Sequence, residues 1–421
     1  MMFKRLLMVS LVLALLAAAC GDDDQADETA ATTTVATETT AATETTEATE
    51  TTEASTTSAA DTTAATEAPD PLSGDDLDAL VAAAIAEGEV VVYSFTSRIA
   101  KIEAAFEEAY PDIDLIGFDI SSTEQIERIK AEVGAGADGA DVAYISDSPV
   151  VLRELVGPGL LENWVPPQFA DRVPPQFQEP LLSNRLSTKV VLYNGEAHPG
   201  GSPVGNLWEL TQAQWNGKVI IVDPLIRGDY LDFMTQVVLE SDAMAAAYEE
   251  LTGEALELDS GVRNAGEQWI VDLYDNGLVL TDDTDNVNAA VGALGQSDPP
   301  IGITSYSDTR DNEEEGWALT LANDVVPAPG IIFPAQLGLV KDAANPAAAR
   351  LVIHFMMGDD SPTGGDAYAP FYVPGDYATR TDIEPHPDAI PLDEFRAWRL
   401  DPSAIVAERD AVADLILSIS G

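Results

Sequence analysis

GEVVVYSFTSRIAKIEAAFEEAYPDIDL, residues 88–115, decides the fold class. Glu89 to Phe95 is a β-branched and aromatic run, the composition of a buried strand. At Ile99 the period changes. Ile99, Ile102, Phe106 and Tyr110, helped by Ala105 and Ala109, recur at helical spacing and define one apolar face. Pro111 ends that helix, because the residue before a proline avoids helical dihedrals. Ile113 to Phe118 supplies a second strand. The result is a βαβ unit whose crossover should be right-handed. In an open parallel sheet, ligands bind beyond the carboxyl ends of the strands. Ser94, Thr96, Ser97 and Arg98 fall at such an end.

Further units follow. Ser121-Ser122-Thr123 opens a helix with Ile126, Ile129 and Val133 inside and Gly134 and Gly136 at its end. Ser122 and Gln125 match a capping box. Asp141 to Ile145 is a third strand, Ser146-Asp147-Ser148 is its exit, and Val150 to Val156 is a helix. Strand–loop–helix units in series predict a doubly wound α/β lobe. After a proline-rich passage, Ser187 to Asn194 is apolar on both faces and ends at Tyr193-Asn194. Lys218 to Val222 is a strand, and Arg227-Gly228-Asp229 opens a long helix carrying Tyr230, Phe233, Met234 and Val237. Helices near 263–275 and 285–294 lead to strands at 277–281 and 300–305, which makes a second lobe. The strand-like stretch 317–340 returns to the first lobe, followed by a helix over 347–357. The tail, 358–421, ends in a helix over 405–419 that should pack outside the first lobe.

The N-terminus has a different character. Lys4 and Arg5 precede an apolar run from Leu6 to Leu16, which reads as a secretory signal too short to span a bilayer permanently. Cys20, the one cysteine, follows three alanines and precedes Gly21, which resembles a bacterial lipoprotein signal with Cys20 lipidated. Residues 21–75 are Thr, Ala and Glu with almost nothing apolar, the composition of a disordered, charge-extended tether. The expected organisation is a signal over 1–20, a tether over 21–75, one lobe from 76–190 with 331–421, and a second lobe from 191–330. The net charge of −53 argues against nucleic acid and anionic lipid as partners. With one cysteine and only His198, His354 and His386, a Cys/His zinc site is excluded.

Several segments, in order, carry a family resemblance: VVVYSFTSRIAKIEAAFEEAYPDIDL, STEQIERIKAE, ADVAYISD, VVLYN, LWELTQAQWNGKVIIVDP, PIGITSY and LGLVKDAANPAAARLVIHFM. Together they resemble the extracellular solute-binding proteins of bacterial ABC importers, in the branch of ferric, phosphonate, hexose-phosphate and thiamine binders. The resemblance implies a type II periplasmic-binding-protein fold: two α/β lobes joined by crossing strands, closing on a solute in the cleft between them. It implies a monomeric, non-enzymatic receptor without a cofactor, feeding an ABC permease, outside the cytoplasm and membrane-bound only through its lipid. It also places the solute on strand-exit loops. Those positions are Ser94, Thr96, Ser97 and Arg98; Ser121, Ser122 and Thr123; Ser146, Asp147 and Ser148; Tyr193 and Asn194; Arg227, Gly228, Asp229 and Tyr230; and Ser305, Tyr306 and Arg310.

Helix N-termini, hydroxyls and guanidinium forks suit an anion. Each has an ordinary alternative: Ser122 as a helix cap, and Arg98 and Arg227 as partners of surface carboxylates. Ferric iron is the family's other cargo, held by tyrosinates and an accompanying anion. Here Ser305-Tyr306-Ser307 offers one tyrosine where many ferric binders have two, the first loop lacks a histidine, and Tyr230 would have to supply the second phenolate. The solute is therefore expected to be a phosphorylated organic compound or ferric iron with an anion. The reading from another class is a lipid-anchored extracellular hydrolase of glycans or esters; no G-x-S-x-G elbow supports it.

Overall fold

The computed structural model describes residues 70–420. The expected signal, Cys20 and almost all of the tether lie outside the described residues. The opening unit forms as its periodicity predicts: β1 (Glu89–Ser94), α2 (Ile99–Ala109) and β2 (Asp114–Asp119), with α1 (Leu77–Glu87) ahead of them. Ile99, Ile102 and Phe106 are the residues α2 buries. α3 (Ser122–Ala135) and β3 (Val142–Ile145) complete the first series. The cap of α3 is one residue earlier than the spacing suggests: Ser121 Oγ accepts from the Glu124 amide. Ser122 turns inward instead. After β3, the helical turns at 148–151 and 152–156 differ in winding, the second being a π-turn.

The crossing strand β4 runs from Leu182 to Asn194, five residues longer than its apolar portion indicates, and every residue in it is buried. β5 (Val219–Val222), α4 (Gly228–Leu239), α5 (Ser241–Thr252), α6 (Ala265–Asp275), β6 (Val279–Thr281), α7 (Thr284–Gly292) and β7 (Ile301–Thr304) build the second series. β8 (Gly330–Val340), α8 (Pro346–Met356) and α9 (Pro402–Ile419) close the chain.

The main sheet order is β2-β1-β3-β8-β4-β7-β5-β6. β1 is parallel to β2 and β3, and β5 is parallel to β6 and β7. β8 and β4 run antiparallel to their neighbours and to each other, from Gly330 opposite Val190 to Leu337 opposite Leu182. Two parallel α/β halves are thus joined through a pair of long antiparallel strands. Helices cover both faces of the first half. α1, α2 and α8 enclose one core around Val92, Phe106 and Leu351, and α3 encloses another around Ile129 and Ile145. α4 and α6 cover the second half around Phe233, Trp269 and Ile221.

The tail departs from expectation. Val412 and Ile416 of α9 enter the second core, and the helix packs mainly on α4, with α6 and the first-half turn 148–151 beside it, where packing on the outside of the first lobe was expected. Its amphipathic spacing specifies a buried face, but many apolar surfaces could receive it.

His354 on α8 stacks on Phe169 with 4.9 Å between ring centroids. Burial, then the Arg380 guanidinium, push its imidazole down to about 4 against a weaker pull from Asp360. The folded value lies below the ordinary one, so this histidine contributes stability above about pH 6.5 that is lost as pH falls towards 4. His354→Phe should therefore lose less Tm than the parent between pH 7 and pH 4.5, as read by calorimetry; equal losses would refute the assignment.

Candidate functional site

Arg185, Ser187 and Lys189 alternate along β4, so they share one face of the strand. That face looks onto a cavity of about 120 Å³. The loop after β1 supplies Phe95, Thr96, Ser97 and Arg98, and the residue ahead of α4 supplies Arg227. Ser305, Asp308 and Arg310 enter after β7. Five of the chain's 20 lysines and arginines line this one cavity, although the chain's net charge is −53. Four aspartates, Asp119, Asp283, Asp285 and Asp308, line it too, so the cavity carries a slight excess of cations within a strongly acidic chain, and that local excess suits an anion.

The deep end is fully buried and highly connected. Arg98 donates to Asp376, to Ser307 Oγ at 2.8 Å and to the Pro370 carbonyl at 3.3 Å. Arg185 donates to the other oxygen of Asp376 at 2.5 Å and to the Tyr144 hydroxyl at 2.7 Å. Its guanidinium lies 4.8 Å from the Phe371 ring centroid and 5.5 Å from that of Phe95. Lys189 donates to Ser305 Oγ at 2.8 Å and sits 3.1 Å from Asp229.

One carboxylate thus serves two guanidiniums. Burial, with Arg310 and Arg185 nearby, lowers the proton affinity of Arg98 despite Asp376. Asp308 is held below the ordinary carboxylate range: burial opposes its ionisation, but Arg310, Lys189 and the Asn288 amide outweigh it. Donors remain unused. Arg98 Nε is buried without a partner, and among the described residues neither the Arg227 side chain nor Arg185 Nη2 makes a hydrogen bond to the protein. An arginine has five N–H donors, so this end of the cavity presents donors in excess of acceptors.

The mouth is different. Asp119, at the end of β2, and Asp283 and Asp285, at the start of α7, are exposed and line the same cavity with Thr284. Asp119 is raised by partial burial and by Asp283, against the pull of Arg227. Asp285 is raised by partial burial and by Asp283, Asp308 and Asp311. Two carboxylates from opposite halves of the sheet therefore face Arg227.

No family model matches the chain, and no curated protein matches it in sequence. Solved structures do match. Iron-bound HitA from Pseudomonas aeruginosa superposes with a TM-score of 0.61 at 18% identity, covering 79% of this chain and 99% of that one. AfuA from Actinobacillus pleuropneumoniae, with fructose-6-phosphate bound, gives 0.59 at 20% identity, covering 79% and 98%. The periplasmic binding protein P5PA gives 0.59 at 15% identity, covering 79% and 99%. The chain has the type II periplasmic-binding-protein fold.

Within this binding-protein fold, Thr96, Ser97, Arg98, Arg227 and Ser305 reach the cavity as expected from the sequence, and so does Arg310. The others do not line it. Ser94 is buried, its hydroxyl donating to the Thr96 carbonyl. Ser121 caps α3, and Thr123 is exposed on that helix. Ser122 Oγ is 2.9 Å from Ser146 Oγ and accepts from the Ser146 amide, which locks α3 to the end of β3. Asn194 donates to the carbonyls of Val291 and Ala293, a purely structural role. Tyr193 is buried beside it.

Asp147 and Gly228 meet each other around Arg409. Asp229 lies behind Lys189 as its counter-ion. There Lys189, then Arg227, hold its carboxyl down against burial.

The two tyrosines considered for iron do not converge. The Tyr230 ring lies under the Lys189 ammonium, 4.9 Å from the centroid, and its hydroxyl is buried without a partner. The Tyr306 hydroxyl donates to the Asp388 carbonyl at 3.4 Å, among Phe395 and Tyr377. Burial raises both phenols, which opposes the tyrosinate that ferric iron needs.

Sequence reading missed Arg185 and Lys189, with Asp376 behind them, and also the cavity-lining Asp119, Ser187, Asp308 and 283–285. Charges at alternate positions in an otherwise buried strand were a usable signal for the first two. Asp376 had none.

Proposed function

We propose that this protein is a non-enzymatic receptor that captures a small anionic solute between its two lobes and delivers it to an ABC permease. The lobes are taken as 76–190 with 331–401, and 191–330 with α9, whose buried face belongs to the second core. Lipidation of Cys20 and the tether 21–75 would hold this body, as a monomer, at the outer face of a membrane. Among the described residues no helix is long and apolar enough to cross one.

The observation that carries the reading is the cavity with five cations. Its donors are in excess, and they come from both halves of the sheet and from the strand that joins them. Matched solved structures are described with iron or fructose-6-phosphate bound, which supports a solute-binding role for the same fold. Of the two solute classes, the donor set favours the organic anion. Guanidiniums and hydroxyls pair with phosphoryl or carboxylate oxygens, whereas neither Tyr230 nor Tyr306 lines the cavity. The exposed carboxylates of Asp119 and Asp285 at the mouth would accept hydrogen bonds from the body that carries the anion. A cavity of about 120 Å³ is small beside the ~300 Å³ and more of sites for drug-sized ligands. The solute is correspondingly small.

A thermal-shift series tests this, because a ligand that binds only the native state raises Tm, by an amount equivalent to about 2.7 kcal/mol at 100 times Kd. Inorganic phosphate, glycerol 3-phosphate, fructose 6-phosphate, a phosphonate and ferric citrate form the panel. A phosphate ester should raise Tm and ferric citrate should not. A shift with ferric citrate alone, reproduced by iron with another anion, would overturn the preference for an organic anion. A panel without any shift would overturn the ligand class.

A further inference from the structure

Asp147 and Gly228, on two loops expected to hold solute, instead close around an arginine from the C-terminal helix. The Arg409 side chain is 11% exposed. Its Nη2 donates to Asp147 Oδ2 at 3.0 Å and to the Gly228 carbonyl at 3.2 Å, and its Nε lies 3.0 Å from Asp232 Oδ1. Asp147 follows β3 in the first half of the sheet, whereas Gly228 and Asp232 belong to α4 in the second. The flanking residues of α9 repeat the bridge: Glu408 pairs with Arg263 at 3.0 Å on the second-half side, and Asp410 lies 3.7 Å from Arg153 on the first.

The two sides also touch directly. A Cβ placed on Gly228 would fall 1.8 Å from Asp147 Oδ2 and 2.7 Å from Arg409 Nη2. Asp147 adopts φ 63°, a left-handed conformation rare for a residue other than glycine. Its carboxylate is the one that reaches Arg409. Burial raises the Asp147 carboxyl, Arg409 pulls it down and Asp229 adds to the rise. Burial and Asp147 push Asp232 well up against Arg409. Two buried acids this close would repel each other without the cation between them. None of Asp147, Gly228, Asp232 and Arg409 lines the solute cavity.

We propose that Arg409 is a specificity-determining residue: it occupies the cleft between Asp147 and Asp232, bolts the two lobes together there, and confines the solute to the end lined by Arg98 and Arg227. The size selection rests on the cleft being the solute site; the bolt does not. Ile405, Val412 and Ile416 are fully buried and keep α9 attached when the arginine is changed. The bolt is thus separable from the docking of the helix.

The test uses the full-length chain with Cys20→Ser and spin labels at Glu108→Cys and Glu250→Cys, exposed positions on α2 and α5. Two variants attack the same contact from opposite sides. Arg409→Met with Asp232→Asn removes the cation and one of its acids together, and Gly228→Ala places a methyl group against Asp147. Both should shift the interlobe distance measured by pulsed dipolar spectroscopy to a larger mean, with α-helical content retained. The Arg409→Met/Asp232→Asn variant should also gain affinity for fructose 6-phosphate relative to inorganic phosphate by titration calorimetry. Unchanged distances in both variants overturn the bolt, and widened lobes with an unchanged preference overturn its role in size selection. If neither anion binds parent or variant, the anion reading of the cleft falls while the distance measurement still decides the bolt.

Discussion

Asp376→Ala is expected to destabilise the protein by about 3–5 kcal/mol, the range for removing one partner of a buried ion pair. The Asp376 side chain is wholly buried and is the shared counter-ion of Arg98 and Arg185. Its loss strands two guanidiniums, of which Arg185 is held in place between the Tyr144 hydroxyl and the rings of Phe95 and Phe371. Asp376→Asn keeps an acceptor and the shape but not the charge, and should fall between parent and alanine variant. Urea unfolding with an unchanged m-value is the measurement. A loss below about 1 kcal/mol, the scale of an exposed pair, would mean the triad is not load-sharing in the way its burial implies. There is a second expectation. With the protein's own carboxylate gone, added inorganic phosphate should recover part of the stability of Asp376→Ala, and should do so more than it stabilises the parent.

Arg227→Ala is expected to weaken binding of whichever phosphate ester stabilises the parent by roughly 10- to 100-fold. This corresponds to the ~1.5–3 kcal/mol of a hydrogen bond to a charged group. Tm without ligand should hardly change. The reason lies in its surroundings. The Arg227 side chain is 21% exposed, its nearest carboxylate is 3.7 Å away, and it makes no hydrogen bond to the described protein. Burial lowers its proton affinity, but Asp229, Tyr230, Asp283 and Asp119 raise it further, so it stays charged. Arg227→Lys should recover only part of the affinity, since an ammonium keeps the charge but not the planar fork. Calorimetric titration of the three proteins decides the matter. Full affinity in Arg227→Ala would remove this residue from the site and leave the anion to Arg98, Arg185 and Lys189.

The expected residues that line the cavity share one property. Thr96, Ser97, Arg98, Arg227 and Ser305 all stand at strand exits, where topology brings side chains to the cleft whatever their neighbours. Those that turned away did so because a nearer backbone group claimed them. The Asn194 amide found the carbonyls of Val291 and Ala293, and Ser122 found Ser146. Arg185 was legible in principle. Its strand was read as starting at Ser187, so the alternation with Ser187 and Lys189 was cut short at the apolar portion.

From the sequence alone come the α/β class, the serial strand–loop–helix units and the strand ends where the cleft opens. These follow from periods of 2 and 3.6 and from proline and glycine punctuation, all of which act within a few residues. Tertiary structure alone decided which charges face the cavity and which are spent on each other. Arg98 and Asp376 lie 278 residues apart in the chain, and Arg409 and Asp147 lie 262 apart. In so acidic a chain every arginine has many possible partners. Coulomb attraction is selective only once folding has buried a few of them and removed the water that would otherwise screen them all alike.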